Sequence, residues 1–192
     1  MARSTRSPEE TRRLILDAAT RLVRAQGPGV SLAAIAAEAR VSKGGLLYHF
    51  PSKSSLLHGL VTDCAQRFRT KVEEAARRAA DRSPGALSRA YIRTIFADVH
   101  NPGAMREELA LAAHLMSEPS LREVTQADAA RWRRDLHADG LSPATTRLII
   151  AATDGSSSGP LWGAILTPRD LRLLEEELMT LTYPATPPAT TP

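Results

Sequence analysis

Apolar side chains recur at the spacing of a helix along almost the whole chain. The clearest early example follows Ser7 and places these residues on one helix face: Ile15, Ala18, Ala19, Leu22 and Val23. A second stripe follows Ser52 and contains Leu56, Leu57, Leu60, Val61, Cys64 and Phe68. There is no convincing strand alternation or hairpin signal, and only the run 148–152 is conceivable as a buried strand. The pattern predicts an all-α protein of about nine helices.

Capping residues and prolines predict where these helices begin and end. Ser7-Pro8-Glu9-Glu10 combines an N-cap serine, a proline at the first helical position and a glutamate three residues after the cap. Ser31 and Ser42 are placed to cap two short helices, and Ser52 a long one. Three further helices are expected to start at a Ser-Pro or Thr-Pro pair: 83–84, 142–143 and 167–168.

Two C-terminal segments carry further expectations. The Gly- and Ser-rich stretch 154–160 is poor in helix formers and predicts a kink or break in the penultimate helix. Four leucines are spaced to line one face of the last helix: Leu171, Leu174, Leu178 and Leu181. Residues 184–192 are rich in Pro, Thr and Ala and are predicted to be a disordered tail.

The positive charge of the chain is concentrated at its N-terminal end. The 192 residues carry a formal net charge of +4, but residues 1–53 hold nine Lys and Arg against four Asp and Glu, which gives +5. Residues 54–192 hold sixteen against seventeen, which gives −1. A local basic segment is typical of a module that binds a polyanion, although a solvated basic surface would explain the charge equally well.

Several classes of protein are disfavoured by the composition. Cys64 is the single cysteine, so an intramolecular disulfide framework is excluded and a cytoplasmic location fits. No apolar run follows the basic N-terminus or approaches the roughly 20 residues of a membrane span. The five histidines are scattered and form no Cys–His cluster, so we predict no metal and no cofactor. Cys64 lies on an apolar stripe and is interpreted as a buried thiol rather than a redox sensor.

The stretch from Ser31 to Phe50 has the organisation of a helix-turn-helix. Two short capped helices are joined by a tight turn at Arg40-Val41, and the second helix of such a motif enters the major groove of DNA. Gly44 and Gly45 near the start of that helix each destabilise it by about 1 kcal/mol relative to alanine. They are useful if the backbone must approach a duplex, but they could instead relieve a tight packing contact.

The same stretch resembles a known family. The strings Ser31-Leu32-Ala33-Ala34-Ile35-Ala36 and Val41-Ser42-Lys43-Gly44-Gly45-Leu46-Leu47-Tyr48-His49-Phe50-Pro51-Ser52-Lys53 strongly resemble the DNA-binding domain of the tetracycline-repressor (TetR) family of bacterial regulators, over about residues 8–60. The resemblance implies a DNA-binding domain at 1–53 that is followed by a homodimeric sensor domain at 54–183. The predicted function is a ligand-responsive transcriptional regulator, with repression as the family's usual mode.

The resemblance also implies a role for individual residues. Tyr48 and His49 match phosphate contacts at the end of the recognition helix, and Lys53 matches a lysine that grips a phosphate at the next helix start. Lys43, with Gly44 and Gly45, matches the surface that reads bases. The remaining expected DNA contacts are the two cap serines and a side chain that could pack on a thymine methyl group: Ser31, Ser42 and Leu47.

Some of these assignments have alternatives. Tyr48 could be a core aromatic residue and His49 a solvated residue at a helix end, whereas Phe50 is assigned to the core. A basic N-terminal arm could follow a phosphate or the minor groove or could simply be solvated: Arg3, Arg6, Arg12 and Arg13.

In the sensor domain, the resemblance implies a dimer interface at about 143–182 and an effector site between the middle helices. The named effector candidates are Phe96, His100, Met105, His114, Met116, Trp132 and Trp162. Aromatic residues make up only 4% of the chain, so a flat aromatic cage is hard to build. The aliphatic lining that this leaves favours an apolar or amphipathic effector.

Two other functions compete with the regulator. Gly155-Ser156-Ser157-Ser158-Gly159 matches the nucleophile motif G-x-S-x-G of α/β-hydrolases. However, the last histidine, His137, precedes Ser157, and the alternation of strands and helices that this fold needs is missing. The second competitor is an effector-free architectural DNA-binding protein of the same fold. We therefore expect a non-enzymatic regulator whose partners are operator DNA, a small molecule and a second copy of itself.

Overall fold

A computed structural model describes residues 6–116, 118–159, 163 and 165–183. This part of the chain contains no strand, and the prediction of an all-α protein of about nine helices is confirmed. The α-helices are α1 (Pro8–Gln26), α2 (Leu32–Glu38), α3 (Lys43–His49), α4 (Lys53–Ala79), α5 (Ala86–Val99), α6 (Pro102–Met116), α7 (Arg122–His137), α8 (Pro143–Ser158) and α9 (Pro168–Leu181), with a short 3-10 helix at Pro119–Leu121 before α7.

Most of the predicted helix starts are confirmed. The Ser7 hydroxyl accepts a hydrogen bond from the Glu10 N–H at 3.1 Å, and the Glu10 carboxylate accepts one from the Ser7 N–H at 2.7 Å, which completes the capping box. Ser142 caps α8 by accepting from the Thr145 N–H, Thr167 completes a capping box with Asp170 at the start of α9, and each is followed by a proline. Helix α1 ends at Gly27, whose φ of +80° is unfavourable for any side chain.

The start of α5 differs from the expectation at 83–84. Ser83 does not cap this helix, because its N–H and hydroxyl both donate to the Asp81 carboxylate. The helix begins at Ala86 after Gly85, which adopts the left-handed conformation at φ +84°. The cap comes from Asp139, whose carboxylate accepts hydrogen bonds from the N–H groups of Leu87 and Ser88.

The kink or break predicted within 154–160 corresponds to a helix end, since α8 stops at Ser158 inside that segment. Helix α8 continues to Ser158, and the run 148–152 is helical rather than a strand. The hydroxyls of Ser156, Ser157 and Ser158 donate to the carbonyls four residues earlier, at 2.8, 3.0 and 2.9 Å. These hydrogen bonds satisfy the serine hydroxyls within the helix, so the side chains do not compete for the backbone N–H groups of α8. Pro160 and the predicted tail 184–192 lie outside the described residues.

The chain forms two compact units. The first lies within Met1–Arg67 and Glu107–Ala129, and the second lies within Phe68–Arg106 and Ala130–Pro192. The first unit has a core of aliphatic residues from α1 to α4, together with Leu111, Leu115 and Leu121. The functional division after residue 53 stays a prediction, and the compact units do not follow it. In the part of the chain that is described, no helix is both long and apolar enough to cross a membrane.

The second unit contains two apolar clusters and a buried arginine. One cluster is centred on Tyr91 and Trp132, and the other on Phe96 and Ile149. Arg89 on α5 is only 1% exposed. Its guanidinium donates to the Asp81 carboxylate and to the Pro84 and Thr182 carbonyls. Arg89 therefore connects α5 to the segment before it and to the end of α9.

Candidate nucleic-acid interface

Helices α2 and α3 are positioned by a small apolar core in the first compact unit. Ile35 of α2, Leu46 of α3 and Phe50 after α3 are all at most 3% exposed. The turn between the helices contains Arg40 in the left-handed conformation, at φ +54°, and the Val41 N–H donates to the Ala36 carbonyl. The two helices are therefore held at a fixed angle by packing and by a tight turn, as a helix-turn-helix requires.

The first turn of α3 presents polar groups to solvent. Lys43 and Gly44 are exposed, and Ser42 caps the helix by accepting a hydrogen bond from the Gly45 N–H at 3.0 Å. Ser31 caps α2 in the same way, through the Ala34 N–H at 3.1 Å. Because capping uses only oxygen lone pairs, both hydroxyl protons can still be donated to an anion.

The core alternative for Tyr48 is wrong, because this side chain is 80% exposed. Its ring meets the half-buried His49 ring edge to face, with 5.2 Å between centroids. Phe50 is buried as predicted, and the Arg12 guanidinium lies 5.1 Å from its ring centroid. Tyr48 is therefore a large amphipathic side chain that nothing in the described chain covers.

The two glycines of α3 differ in their surroundings. A Cβ atom added at Gly44 would meet nothing within 4 Å, whereas one at Gly45 would lie 3.2 Å from the Ser42 hydroxyl oxygen. The packing explanation therefore fails for Gly44, which weakens the helix without relieving any contact in the described residues. For Gly45, the capping serine itself explains the absence of a side chain.

The remaining interface candidates lie beside α3. Lys53 is the first residue of α4 and is half-buried, next to Ser52, whose hydroxyl accepts from the Ser55 N–H at 3.0 Å. Leu47 is also half-buried. Neither Lys43 nor Lys53 forms an ion pair with a carboxylate of the described residues. Both charges therefore remain available for an external anion.

Of the predicted basic arm, three members are described. Arg6 is exposed, Arg12 lies against Phe50, and Arg13 is 3.8 Å from the Asp17 carboxylate. Arg3 lies outside the described residues.

The effector candidates fall in different surroundings. In the second unit, Phe96 and Trp132 belong to separate buried clusters, Met105 is buried, and the His100 imidazole lies 2.8 Å from the Glu175 carboxylate. In the first unit, His114 packs against Gly27 and Met116 is 82% exposed. Trp162 lies outside the described residues. The effector assignment stays a prediction for these residues, and none of them lines the surface groove of about 520 Å³ beside Arg77 and Arg82.

An aromatic cluster is present although the composition argued against one. Phe68 of α4, Tyr91 of α5 and Trp132 of α7 have ring centroids 5.1–5.8 Å apart, which brings together three of the eight Phe, Tyr and Trp residues. Sequence reasoning named Trp132 but missed the other two, because each fits an ordinary apolar helix stripe. We refer to these three residues as the aromatic cluster.

The hydrolase alternative fails on geometry. Ser157 lies within α8, and its hydroxyl donates to the Thr153 carbonyl at 3.0 Å. A nucleophile elbow instead places its serine on a sharp turn between a strand and a helix.

Burial and the nearby Glu108 raise the pKa of the Cys64 thiol, which opposes formation of a reactive thiolate. The described residues contain no group of three or more side chains that could hold a metal ion.

Comparisons with known proteins agree with this organisation. Residues 15–60 match the family model "Bacterial regulatory proteins, tetR family", and residues 85–183 match "Tetracyclin repressor-like, C-terminal domain". No curated protein sequence matches the chain significantly.

Several solved structures are similar to this chain over nearly its whole length. A TetR-family member from Streptomyces coelicolor is 28% identical, with a TM-score of 0.65 over 91% of this chain and 99% of that one. The multidrug binding protein EbrR is 28% identical in its complex with malachite green, with a TM-score of 0.65 over 90% and 98% of the two chains. It has also been solved with ethidium, at 29% identity and a TM-score of 0.60 over 91% and 99%.

A transcriptional regulator from Rhodococcus sp. Rha1 shares the fold, with 20% identity and a TM-score of 0.66 over 92% and 96% of the chains. The second of the two family models alone covers more than half of this chain, and the first covers the helix-turn-helix. The chain belongs to the tetracycline-repressor (TetR) family of DNA-binding transcriptional regulators.

Proposed function

We propose that this regulator is a cytoplasmic repressor that binds an inverted-repeat operator as a homodimer and leaves it when a small molecule binds. In this proposal residues 1–53 contact DNA, and residues 54–183 bind the effector and form the dimer. The observation that carries it is the surface of α3. Lys43, Gly44 and Tyr48 are exposed there, and no described carboxylate forms an ion pair with Lys43.

This surface suits a duplex for three reasons. Lys43 carries a donor that can reach a guanine edge from the first turn of a recognition helix. Tyr48 presents a hydroxyl that can donate to a phosphate, and Lys53 adds a cation at the N-terminus of α4, where the helix dipole also favours an anion. The open space at Gly44 lets the backbone of α3 come close to a base pair.

The effector part of the proposal is supported by relatives. EbrR, which shares 28–29% identity with this chain, was solved with malachite green and with ethidium. A ligand that binds better to the conformation unable to contact DNA lowers operator affinity by linkage.

The dimer is supported by an exposed stripe on α8. Its members are spaced alternately by four and three residues, so they share one face of the helix: Ala144, Leu148, Ala151, Gly155 and Ser158. All five are exposed, and Leu148 reaches 53%. Exposed leucines on α9 extend the apolar surface at Leu173 and Leu181. Small residues at this spacing let a second helix pack closely, which favours a second copy of this chain as the partner.

The experiment that tests the DNA-binding proposal is selection of bound sequences from a random double-stranded library at near-physiological salt, where non-specific binding is weak. We expect enrichment of an inverted repeat. Tyr48→Ala and Lys53→Ala should weaken operator and random DNA alike, whereas Lys43→Ala should change the preferred bases. If no sequence is enriched and only salt-sensitive background binding is seen, the operator proposal is wrong and the architectural alternative is favoured.

Gly44→Ala separates helix stability from DNA contact. We expect the change to raise the free energy of unfolding by up to about 1 kcal/mol, because alanine is the better helix former and the added methyl meets nothing. Operator affinity should nevertheless fall about tenfold or more, because that methyl would occupy the space where DNA approaches. Thermal unfolding and fluorescence anisotropy measure the two effects on the same samples.

Gly29→Ala is the matched control, because it adds a methyl to another open and exposed glycine in the same compact unit. It should leave operator affinity unchanged. A stabilised Gly44→Ala variant with undiminished affinity would show that the first turn of α3 does not approach DNA.

A further inference from the structure

A surface groove lies at the C-terminal end of α4, within the second compact unit. Its volume is about 520 Å³, and it is lined by Ala76, Arg77, Ala80, Asp81 and Arg82. Sites for small molecules in proteins usually have volumes of roughly 300–1,000 Å³. None of the effector candidates lines this groove, so it is a separate feature from the effector site proposed above.

The two arginines of the groove have no partner in the described part of the chain. Arg77 and Arg82 are exposed, and neither guanidinium forms an ion pair or a hydrogen bond there. Glu73 lies four positions before Arg77 but is not paired with it, whereas the next arginine, Arg78, lies 3.7 Å from the Glu74 carboxylate. Both guanidiniums of the groove are therefore available to an external anion.

Asp81 lines the groove but does not neutralise these arginines. One of its carboxylate oxygens accepts hydrogen bonds from the Ser83 N–H and hydroxyl at 2.9 and 2.7 Å, and the other lies 2.8 and 2.6 Å from two guanidinium nitrogens of the buried Arg89. The hydrogen bonds from Ser83 and from Arg89 lower the pKa of Asp81 to about 2. Since Arg89 balances this carboxylate, the two exposed guanidiniums leave the groove with a net positive charge.

Ala80 contributes a methyl group to the groove in an unfavourable backbone conformation. Its φ is +51°, in the left-handed region that glycine adopts without a steric penalty. Glycine is also the usual residue just after a helix end, and α4 ends at Ala79. The alanine therefore adds apolar surface where glycine would be the more stable choice, and local strain of this kind is concentrated at binding sites.

We propose that this groove binds a small organic molecule that carries a phosphate group on an apolar body. A phosphate monoester is doubly charged just above neutral pH, which matches the two guanidiniums. The planar fork of an arginine can donate two parallel hydrogen bonds to phosphate oxygens. The methyl groups of Ala76 and Ala80 supply contacts for the apolar body. This site is additional to the DNA interface and to the effector site of the proposed function.

Two simpler explanations compete with a phosphate site. Basic residues in the last turn of a helix stabilise it through the helix dipole, which would account for Arg77 without any ligand. The DNA-binding surface is also a place for a phosphate, because Lys53 is proposed to contact one. The variants must therefore separate the groove from a solvated helix end and from the DNA interface.

The test measures binding of phenyl phosphate by calorimetry at low salt and slightly alkaline pH, without DNA, beside inorganic phosphate and benzyl alcohol. We expect phenyl phosphate to bind more tightly than either, because it alone has both the charge and the ring. Combining Arg77→Gln with Arg82→Gln should weaken its binding at least about tenfold. Ala80→Gly should raise the melting temperature and weaken binding about two- to threefold, because it removes the backbone strain together with the methyl contact.

The matched control combines Arg133→Gln with Arg134→Gln, which removes two exposed arginines of α7 that do not line the groove. Its affinity for phenyl phosphate should stay within about twofold of the wild type. The inference is overturned if phenyl phosphate does not bind, if it binds no better than inorganic phosphate or benzyl alcohol, or if the double variant of the groove binds it undiminished. Loss of binding in Lys53→Gln would also overturn it, since the phosphate would then occupy the DNA interface. Melting temperatures show that each variant is folded, and Ala80→Gly tests the groove with both arginines in place.

Discussion

Arg89→Met is expected to lower the free energy of unfolding by about 2–4 kcal/mol, because it removes charge-assisted hydrogen bonds and leaves a buried acceptor unpaired. The Arg89 Nε and Nη2 atoms lie 2.8 and 2.6 Å from one Asp81 carboxylate oxygen, and Nη2 also lies 2.6 Å from the Ser83 hydroxyl. Its Nη1 atom donates to the Pro84 and Thr182 carbonyls at 3.0 and 2.9 Å. Methionine fills similar space but donates to none of them.

The Thr182 carbonyl makes this loss severe. Thr182 is fully buried, so its carbonyl has no access to water once the guanidinium is gone, and an unpaired buried acceptor costs about 1–3 kcal/mol. Pro84 and Asp81 are more accessible and can be hydrated instead. We therefore expect the connection between α5 and the end of α9 to loosen.

Urea denaturation with the linear extrapolation measures the effect. Arg93→Met is the matched control, because Arg93 lies one turn further along α5 and is exposed. It should change stability by less than about 0.5 kcal/mol. Equal midpoints for the two variants would mean that the buried hydrogen bonds of Arg89 contribute little net stability.

The helix ends that the sequence predicts correctly are those fixed by neighbouring residues. Ser7 and Glu10 lie three positions apart and complete each other's hydrogen bonds, so the signal is contained in four residues. The hydroxyls of Ser31 and Ser42 each accept a hydrogen bond from the N–H three positions later in the chain, so these caps are local signals as well. The organisation of the helix-turn-helix could therefore be read before any tertiary contact was known.

The start of α5 could not be read in this way, because its cap is distant in sequence. Asp139 reaches back to Leu87 and Ser88, more than fifty positions earlier, and Ser83 is already engaged by Asp81. A local rule assigns the cap to the nearest serine and has no means of weighing a remote carboxylate. The buried position of Arg89 is hidden for the same reason, since arginine is usually exposed.

In the candidate site, too, the sequence predicts what depends on neighbouring residues and misses what depends on contacts between distant helices. Lys43 and Tyr48 were identified by a motif within one short helix, and the structure places both on its exposed surface. The aromatic cluster required three helices to converge, and Phe68 and Tyr91 gave no sign of this in their own segments. The serines of α8 remain helical up to Ser158 although serine is a poor helix former, and their hydroxyls bond to the preceding turn, which a propensity scale does not include.

Ala151→Glu is expected to convert the proposed dimer into a folded monomer. Ala151 is the middle member of the exposed α8 stripe, so in a symmetric pair the two new carboxylates would face each other close to the two-fold axis. Two like charges that are brought close together and removed from water repel strongly. Because Ala151 is exposed within one chain, the fold of the chain itself should be unaffected.

Loss of the dimer should reduce operator affinity by at least about 100-fold, since one recognition helix then contacts one half-site at a time and each lost base contact alone is worth about 1–3 kcal/mol. Light scattering gives the mass, circular dichroism gives the helix content, and anisotropy gives the affinity. Ala97→Glu is the control, because it makes the same change at an exposed alanine of α5, off the stripe. If Ala151→Glu keeps the mass of a dimer, the stripe is not the interface. If it becomes a monomer with undiminished affinity, the regulator does not need two recognition helices to hold its operator.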